Sequence, residues 1–540
     1  MVRLVSETVP RWDAGPELTG TYLQRVSETN LTTRVRSTTD RNNRVSGAAA
    51  GSTPFCSIVI VRVVVGCQIC EMDNTTAVLL TLLVYNAVLI SVGLWTKGRN
   101  RGVADFYLAG RGLGAWTAAL SASASSSSAW TLLGVSGAAY AWGTPALWIF
   151  PATVGGFLFN WTWVAPRLQK LSRDEGAVTL SAVIAPAQLG VHRSLVLRLA
   201  AAIVVFCFVF YIASQFEAAG KAFEATFSLS KNVSILIGAG IVLAYTMLGG
   251  FWAVSVTDTI QGLLMFAVAI LLPAVALIAV GGVAELLAGL AVAGSTGSPI
   301  PTGPMSALVA LFFVLGTLGI GVGYPGQPHV VNRFMALKDQ QNLQQGRIIA
   351  LGWAVVVYAG MLTLGLCARV LFGDLGDSEQ VLFHTAQSLM PAVVSGIVLA
   401  AVLSAIMSTA DSQLLVASSA ISYDWNLGGK ESLDNLKNAR VTVVVVLILA
   451  TVLALVWQAD IFARVLFAWA ALGAAFGPLL IVRLCGQDVS ARGTLASMLT
   501  GFGLTVIMSM LPNTPGDVAE RVLPFLLALG LAMAAREPRR

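Results

Sequence analysis

The sequence SASASSSSAW occupies residues 121–130, and six of its ten residues are serine. It lies inside an apolar run, 114–140, that is long enough to cross a lipid bilayer. Serine hydroxyls compete with the backbone for hydrogen bonds, and lipid supplies no water to satisfy the groups that an interrupted helix leaves free. The stretch therefore predicts a membrane helix that is broken near its middle.

The composition of the whole chain is that of a membrane protein. Of its 540 residues, 56% are hydrophobic and 11% are charged, whereas about 25% of the residues of a soluble domain are charged. Thirteen apolar runs, which we number segments one to thirteen, lie at 77–96, 114–140, 144–165, 195–220, 232–250, 259–281, 307–328, 348–371, 391–422, 440–458, 461–482, 493–511 and 519–535. We expect an all-α polytopic protein of thirteen transmembrane helices, and no β-barrel, because the alternating pattern of barrel strands is absent.

The net charge of +6 is explained by topology. Lysine and arginine follow segments one, three, seven, nine and thirteen, whereas 283–306 and 373–390 contain neither residue. This positive-inside pattern predicts a cell-membrane protein with a cytoplasmic C-terminus. Lipid, a solute and an ion are the expected partners, and nucleic acid or an obligatory protein partner is not expected.

The first 71 residues do not fit this pattern, because they are polar and carry eight arginines. We expect 1–71 to be a disordered or wrongly assigned extension, with the working protein beginning at Met72 and the transmembrane domain covering 72–540. The six cysteines suggest no disulfide framework, and the lone CxxC motif at 67–70 lacks the partners that zinc needs. No cofactor is expected.

A second interruption is predicted in segment seven. Its sequence GTLGIGVGYPGQPH, residues 316–329, contains five glycines and two prolines. Segments two and seven each begin a five-segment unit, so we expect inverted repeats at about 114–281 and 307–482. Paired interrupted helices hold ions and solutes at the bilayer midplane of many transporters. The alternative interpretation is that these small residues only permit close helix packing.

Segment nine carries hydroxyl groups along one helical face. Ser404, Ser408 and Ser412 recur every four residues, and Thr409 and Asp411 lie beside them. Such hard oxygen donors suit a small hard cation, and a carboxylate inside a membrane helix is costly enough to indicate function. A structural aspartate, bonded to neighbouring helices, is the alternative.

Other charged residues allow two interpretations. Asp258, in GGFWAVSVTDTIQ at 249–261, lies at the entry to segment six and fits either a membrane interface or a cation site. Glu217 and Glu224 flank Lys221 near a helix end, where we expect a solvated face. No phosphate-binding loop or nucleophile motif is present. The protein is therefore not expected to be an enzyme, and an ion gradient is its expected energy source.

Five stretches together resemble the sodium:solute symporter family, and within it the sodium/proline branch. They are ADFYLAGRGLGAW (104–116), GGFWAVSVTDTIQ (249–261), GYPGQPHVVNRFMA (323–336), AIMSTADSQLLVASSAI (405–421) and AWAALGAAFGPLL (468–480). The resemblance covers 72–535. It implies a LeuT-type 5+5 inverted-repeat fold with one additional leading helix and two trailing helices.

The resemblance also implies where sodium binds, between the break in segment two and segment nine. Carried over by motif, the ligands are the backbone carbonyls of Ala124, Ser127 and Ala405 and the hydroxyls of Ser408 and Thr409. Some members of the family hold a second sodium ion, for which the matching residues are Asp258, Ser408, Asp411 and Ser412.

The chain departs from the proline branch in the two broken segments. Ser126 replaces an aspartate and Ile320 replaces a tryptophan, whereas Tyr211 and Tyr324 match aromatic positions near the substrate. Asp411 is a carboxylate that those carriers lack. No lysine or arginine stands centrally in segments two, seven or nine, so we expect hydroxyls, backbone groups or sodium to bind the solute. The candidates are Ser125, Trp130, Tyr211, Tyr324 and Gln327.

The sequence thus predicts sodium-coupled symport of a small solute into the cell, either proline or another small amino or organic acid. One alternative is a proton-coupled carrier on the same fold, with Asp258 or Asp411 as the relay. Another is a nutrient sensor that retains the transporter fold.

Overall fold

The structure is a computed structural model that describes residues 74–96, 108–246, 251–292, 305–425, 433–457, 460–512 and 514–539. The predicted extension at 1–71 and the start at Met72 lie outside the described residues. Within them the fold is helical, and the predicted all-α polytopic class is confirmed. In the part of the chain that the structure describes, eight helices are long and apolar enough to cross a membrane. The exact count of thirteen stays a prediction.

The first half of the described chain contains ten helices. They are α1 (Asn74–Thr96), α2 (Ala115–Ser126), α3 (Val135–Trp142), α4 (Ile149–Phe159), α5 (Ala165–Asp174), α6 (Leu180–Ile184), α7 (Arg193–Phe227), α8 (Lys231–Thr246), α9 (Phe251–Val280) and α10 (Val283–Val292). Single π-helical turns, Trp130–Gly134 and Asn160–Val164, precede α3 and α5.

The second half contains ten more helices and two short strands. The helices are α11 (Ala307–Val322), α12 (Pro328–Ala336), α13 (Gln340–Leu371), α14 (Val381–Leu389), α15 (Ala392–Ser419), α16 (Leu433–Val456), α17 (Ile461–Leu484), α18 (Ala491–Met508), α19 (Val518–Arg521) and α20 (Leu523–Ala534). Strand β1 (Gln487–Val489) pairs antiparallel with β2 (Arg536–Pro538) near the C-terminus.

Segment two is interrupted where its serines predict. Helix α2 ends at Ser126, and Ser127 leaves helical geometry with φ −109° and ψ 56°. The N–H of Ser127 still donates to the carbonyls of Ser123 and Ala124, at 3.0 and 3.3 Å. The chain becomes helical again at Ala129 and continues through the π-helical turn into α3.

Segment seven is interrupted at its glycines and prolines. Helix α11 ends at Val322, a short 3-10 turn covers Tyr324–Gly326, and Gln327 is extended with φ −92° and ψ 101°. Pro328 then occupies the first position of α12, where a missing N–H costs no helical hydrogen bond. The absence of a side chain at Gly326 lets α17 pass close by, since a Cβ there would lie 2.7 Å from the Cα of Gly473.

The two interrupted segments lie at the centre of the helical packing. Helix α2 packs against α9, α12, α13 and α15, and α17 packs against the 3-10 turn of segment seven. Most of α15 is buried, including every residue from Val398 to Ser419. This arrangement places the polar residues of segments two, seven and nine in one protein interior rather than in lipid.

Candidate functional site

The break in segment two and the hydroxyl face of α15 are in direct contact. The Ser125 hydroxyl lies 2.9 Å from the Ser412 hydroxyl and donates to the Ser408 carbonyl at 3.2 Å. The Thr409 hydroxyl donates to the Ser125 carbonyl at 3.2 Å. All four residues are fully buried. Segment two and α15, to which the sequence assigns an ion, are therefore in contact through hydroxyl and carbonyl groups.

The five predicted ligands of the first sodium site lie on these two elements. Ala124 and Ser127 flank the contact on segment two, next to Ser125. On α15, the Ser408 hydroxyl donates to the Ala405 carbonyl at 3.3 Å, and Thr409 reaches across to segment two. A hydroxyl that donates its proton to a carbonyl keeps its lone pairs available for a cation. The local chemistry is therefore that of an oxygen site without a carboxylate ligand.

Two of the four residues predicted for a second sodium, Asp258 and Ser412, form hydrogen bonds to an arginine. The Nη2 atom of Arg333 donates to Asp258 Oδ2 at 3.0 Å, to Ser412 Oγ at 2.5 Å and to Ser125 Oγ at 3.1 Å. Its Nε donates to Ser121 Oγ at 3.0 Å, and that hydroxyl donates to Asp258 Oδ2 at 2.7 Å. All five residues are fully buried. Asp258, for which the sequence left an interface role open, thus lies in the protein interior.

The expectation that no lysine or arginine stands centrally in segments two, seven or nine is wrong. Arg333 is one of the basic residues that follow segment seven in the sequence, but α12 continues the segment to Ala336, and all nine residues of α12 are buried. The break redirects the chain into the protein rather than ending the span. The signal for this was Pro328, a residue favoured at the first position of a helix, followed by HVVNRFMA, in which five of eight residues are apolar.

Asp411 is fully buried one turn beyond Ser408 on α15. Neither of its carboxylate oxygens makes a well-aligned hydrogen bond within the described residues, although the backbone and hydroxyl donors of Ser412 interact with it. It interacts electrostatically with Asp258 and with Arg333. The interior therefore holds two carboxylates and one guanidinium in one electrostatic cluster.

Three of the five predicted substrate residues line one cavity. Trp130, Tyr211 and Tyr324 surround it together with five further residues, Ser126, Ile320, Val465, Leu466 and Trp469. The other two candidates do not line it. Ser125 accepts a hydrogen bond from Arg333, and the Gln327 amide donates to the carbonyls of Gly323 and Trp469.

Helix α17 supplies the wall of this cavity that the sequence analysis did not assign. The Trp469 indole donates to the Ile320 carbonyl at 3.0 Å, and its ring packs edge-on against Tyr324 with centroids 4.7 Å apart. The signal was in AWAALGAAFGPLL, whose small residues allow the close approach of α17 to segment seven.

The cavity is small, apolar and uncharged. Its free volume is about 10 Å³, which is close to the least that holds one water molecule. None of its lining residues is charged. The Trp130 indole N–H has no acceptor within the described residues, although the residue is buried. Any organic solute therefore requires that the walls move apart, and it would meet aromatic faces and a free N–H donor.

Ion pairs fix α17 at the end where it begins. Arg464 pairs with Glu217 of α7 at 3.0 Å. Lys221 pairs with Glu379 at 2.7 Å, and Glu379 also accepts the backbone N–H groups of Ile461 and Phe462. The expectation of a solvated face here is wrong for Glu217 and Lys221, which are 1% and 6% exposed. The sequence suggests that these helix ends are exposed, but the loop that carries Glu379 covers them. Burial of Glu379 in turn raises its pKa.

A second group of ion pairs fixes α17 where it ends. Arg483 pairs with Glu175 at 2.6 Å and with Asp488 of β1, and Arg539 of the C-terminal tail also reaches Asp488 at 3.3 Å. The helix that forms one wall of the cavity is thus held at both ends.

Sequence comparison adds independent information about relatives. A family model described as "Sodium:solute symporter family" matches residues 106–501. The chain is 34% identical over 451 residues to the sodium/proline symporter of Escherichia coli (strain K12), which covers 81% of this chain and 88% of that protein. It is 31% identical over 440 residues to the osmoregulated proline transporter OpuE of Bacillus subtilis (strain 168), covering 80% of this chain and 88% of that protein.

Comparison with solved structures gives the fold. A Na⁺-coupled sialic acid symporter in a substrate-bound outward-open state superposes with a TM-score of 0.70 at 18% identity, over 86% of this chain and 98% of that one. Mhp1, a nucleobase-cation-symport-1 family transporter in a closed conformation, superposes with a TM-score of 0.50 at 12% identity, over 81% and 95%. The predicted LeuT-type fold is thereby confirmed.

Proposed function

Since the chain belongs to the sodium:solute symporter family, we propose that it carries proline, or another small zwitterionic amino acid, into the cell together with Na⁺. Sodium-coupled symport across a membrane follows from the family. The choice of proline is supported by relatives named as proline transporters and sodium/proline symporters, at 31–34% identity over most of the chain. Ile320, which replaces a tryptophan of the proline branch, is the reason to keep other small amino acids in the proposal.

The observation that carries the proposal is the uncharged aromatic cavity between segments two and seven. Trp130, Tyr211, Tyr324 and Trp469 provide apolar faces against which a small ring or aliphatic side chain packs. A solute with net charge would be buried there without a counter-charge on the wall, at a large cost in free energy. A zwitterion has no net charge, so the lining favours an amino acid over an anionic organic acid.

The solute carboxylate needs local donors, and the cavity wall offers them. The Trp130 indole N–H is free within the described residues, and the Ser126 hydroxyl, which donates to the Ser123 carbonyl at 3.0 Å and would have to rotate toward the solute, lines the cavity at the end of α2. Backbone N–H groups at an interrupted helix serve the same purpose in other carriers. We therefore propose that the solute carboxylate lies beside Trp130 and Ser126. The apolar part of the solute would pack against Tyr211, Tyr324 and Trp469.

Sodium is proposed to bind to the oxygens of Ala124, Ser127, Ala405, Ser408 and Thr409. The support is the direct contact of segment two with α15 through Ser125, Ser408 and Thr409. An ion held by both elements fixes segment two, which also lines the solute cavity, and so it alters solute affinity. Sodium can drive the change of access only through a difference in its affinity for the two states.

The proposed direction of transport is inward, down the sodium gradient, and the positive-inside pattern supports a C-terminus in the cytoplasm. One sodium ion that enters down a potential of 100 mV contributes about 2.3 kcal/mol to solute accumulation. The contracted cavity then has to widen toward one side of the membrane at a time. We assign this gating to α17, which is held by ion pairs at both of its ends.

Uptake by purified protein in liposomes tests the proposal. The panel is labelled proline, alanine and lactate, each with sodium outside and each with sodium replaced by choline. We expect accumulation of an amino acid in sodium only, with proline preferred, and no accumulation of lactate. Lactate uptake without amino-acid uptake would contradict the proposed solute class, and equal uptake in choline would contradict the proposed coupling ion.

A second candidate is a proton-coupled carrier, and the observation that favours it is Asp411. A buried carboxylate without a well-aligned hydrogen bond is the type of group that binds a proton. In sodium-free liposomes with an acidic exterior, this candidate predicts accumulation driven by the pH gradient. The sodium proposal predicts none.

A further inference from the structure

Tyr358 of α13 lies between the two interrupted segments and takes part in three buried hydrogen bonds. Its hydroxyl is 3.2 Å from the Ser127 hydroxyl, at the break in segment two, and 3.3 Å from the Tyr324 hydroxyl, at the break in segment seven. The Thr131 hydroxyl donates to it at 3.3 Å. All four side chains are buried. One tyrosine oxygen of a third helix therefore joins the two breaks.

We propose that Tyr358 is a positioning residue, whose hydroxyl couples sodium binding at the break in segment two to the shape of the solute cavity. This inference rests on the proposed sodium-coupled function. Ser127 is a residue whose backbone carbonyl is proposed to bind sodium, and the Tyr324 ring forms part of the cavity wall. Tyr358 is not itself a proposed sodium ligand, and among the described residues it is not one that lines the cavity. Its role is to link the two sites.

The link is specific because each end of it depends on Tyr358. Within the residues that the structure describes, the Ser127 hydroxyl and the Tyr324 hydroxyl each hydrogen bond only to Tyr358. A tyrosine hydroxyl has one proton, so Tyr358 donates to one of the two and accepts from the other. Movement of Ser127 therefore either breaks a buried hydrogen bond, which is costly, or draws Tyr358 with it and changes its contact with Tyr324.

The ring of Tyr358 is held in place independently of its hydroxyl. Helix α13 packs against α2, α3, α4 and α9. The Tyr358 ring packs edge-on against Phe157 with ring centroids 6.3 Å apart, and Phe157 in turn contacts the Tyr324 ring at 5.2 Å. A phenylalanine at position 358 keeps these ring contacts and removes only the hydroxyl. The variant Tyr358→Phe thus separates the hydrogen-bonded link from the packing.

A second, parallel link runs through Tyr211, whose hydroxyl donates to the Ser128 hydroxyl at 3.3 Å. Tyr211 lines the cavity itself, so its substitution would change solute contacts directly. This link remains when Tyr358 loses its hydroxyl. We therefore expect the coupling between sodium and solute to weaken in Tyr358→Phe rather than to vanish.

Equilibrium binding of labelled proline to the purified full-length protein in nanodiscs, at low and at saturating sodium, tests this inference. Labelled alanine takes its place if the uptake panel selects alanine. The ratio of the two Kd values measures the coupling between ion and solute. We expect a ratio of about tenfold for the wild type and of about threefold or less for Tyr358→Phe, with an unchanged Kd at low sodium. Maximal uptake in liposomes should change little.

The possible results separate this inference from the proposed function. A wild-type Kd that does not depend on sodium would overturn the proposed sodium coupling, and this inference with it. A wild-type ratio in Tyr358→Phe would overturn the inference alone. A Kd raised equally at both sodium concentrations would also overturn it, because that result indicates a solute contact or a structural role.

Two further variants identify the link. Ser127→Ala removes the other hydroxyl and keeps the backbone carbonyl, so it should lower the ratio as much as Tyr358→Phe, and the double variant should lower it no further. Tyr85→Phe is the control, because the Tyr85 hydroxyl bonds to Ser404 at 2.6 Å and to Gln261, neither of which lines the cavity. It should keep the wild-type ratio, and an equal loss there would overturn the inference. If Tyr358→Phe does not fold, Ser127→Ala decides.

Discussion

The hydroxyl of Thr409 donates to the backbone carbonyl of Ser125 at 3.2 Å and joins α15 to the break in segment two. A carbonyl at that position is free to accept because the helix ends one residue later, at Ser126. The contact thus depends on the interruption that the serine-rich sequence causes. It also puts a hydroxyl of α15 next to the proposed carbonyl ligand of Ala124.

We expect Ser408→Ala and Thr409→Ala each to raise the sodium concentration for half-maximal uptake by roughly tenfold, because each removes one oxygen ligand and about 1.4 kcal/mol of binding free energy. Maximal uptake and the amount of protein in the membrane should change little. Ser418→Ala is the matched control, because Ser418 is a buried serine of the same helix whose hydroxyl bonds only within that helix, to the Leu415 carbonyl. Unchanged sodium dependence in both variants would remove the proposed sodium site.

A second prediction concerns the position of the Tyr324 ring in the cavity wall. A Cβ at Gly156 would lie 2.2 Å from this ring, whereas a Cβ at Gly155 meets nothing within 4 Å. Gly156→Ala should therefore displace Tyr324 and raise the KM for the solute by tenfold or more, with little change in the sodium dependence. Gly155→Ala should behave as the wild type. Equal KM values for the two variants would show that Tyr324 does not bind the solute.

The sequence predicts much of the fold because a lipid environment leaves few alternatives for the backbone. Helices must satisfy their own hydrogen bonds, so apolar length identifies the segments, and serine, glycine and proline mark the breaks. The elements that meet at the proposed sodium site were predictable for the same reason, since the hydroxyl stripe of Ser404, Ser408 and Ser412 has helical spacing.

What the sequence could not give is the path of the chain after a break. Arg333 looks like a cytoplasmic residue because the segment appears to end before it, but α12 carries it into the interior beside Asp258. Likewise, Lys221 and Glu217 look solvated until the loop with Glu379 covers them. In each case a charged side chain is stabilised by a partner more than 70 residues away in the sequence or by a loop that covers it. The pattern of neighbouring residues in the sequence contains no information about such contacts.

The third prediction concerns the ion pair that holds the beginning of α17. Glu217→Gln removes the counter-charge of buried Arg464, and breaking a buried pair costs about 3–5 kcal/mol. Because Val465 lines the cavity, we expect a cysteine placed at that position, in a cysteine-free background, to react at least tenfold faster with a membrane-impermeant thiol reagent added to intact cells. Glu224→Gln, on the same helix, is the control, because Glu224 forms no ion pair within the described residues. Equal labelling rates in both variants would exclude this ion pair as a gate.

The last prediction uses Asp411 to separate sodium coupling from proton coupling. One possibility is that the negative charge of Asp411 attracts the sodium ion to the proposed site. In that case Asp411→Asn should raise the sodium concentration for half-maximal uptake by roughly tenfold and leave uptake dependent on sodium at every pH. If Asp411 carries a proton instead, the same variant should abolish uptake driven by a pH gradient in sodium-free buffer.

Asp424→Asn provides the matched control, because Asp424 is also a buried acid beyond the end of α15 but accepts a hydrogen bond from Thr179 at 2.8 Å. It should leave the sodium dependence unchanged. Asp411 lies between Thr409, a proposed sodium ligand, and Ser412, which accepts a hydrogen bond from Arg333. Asp424 lies more than three helical turns further along the chain. An equal rise in sodium requirement for both variants would mean that a buried acid on α15 or beyond its end affects the ion indirectly, and the electrostatic role of Asp411 would then be wrong.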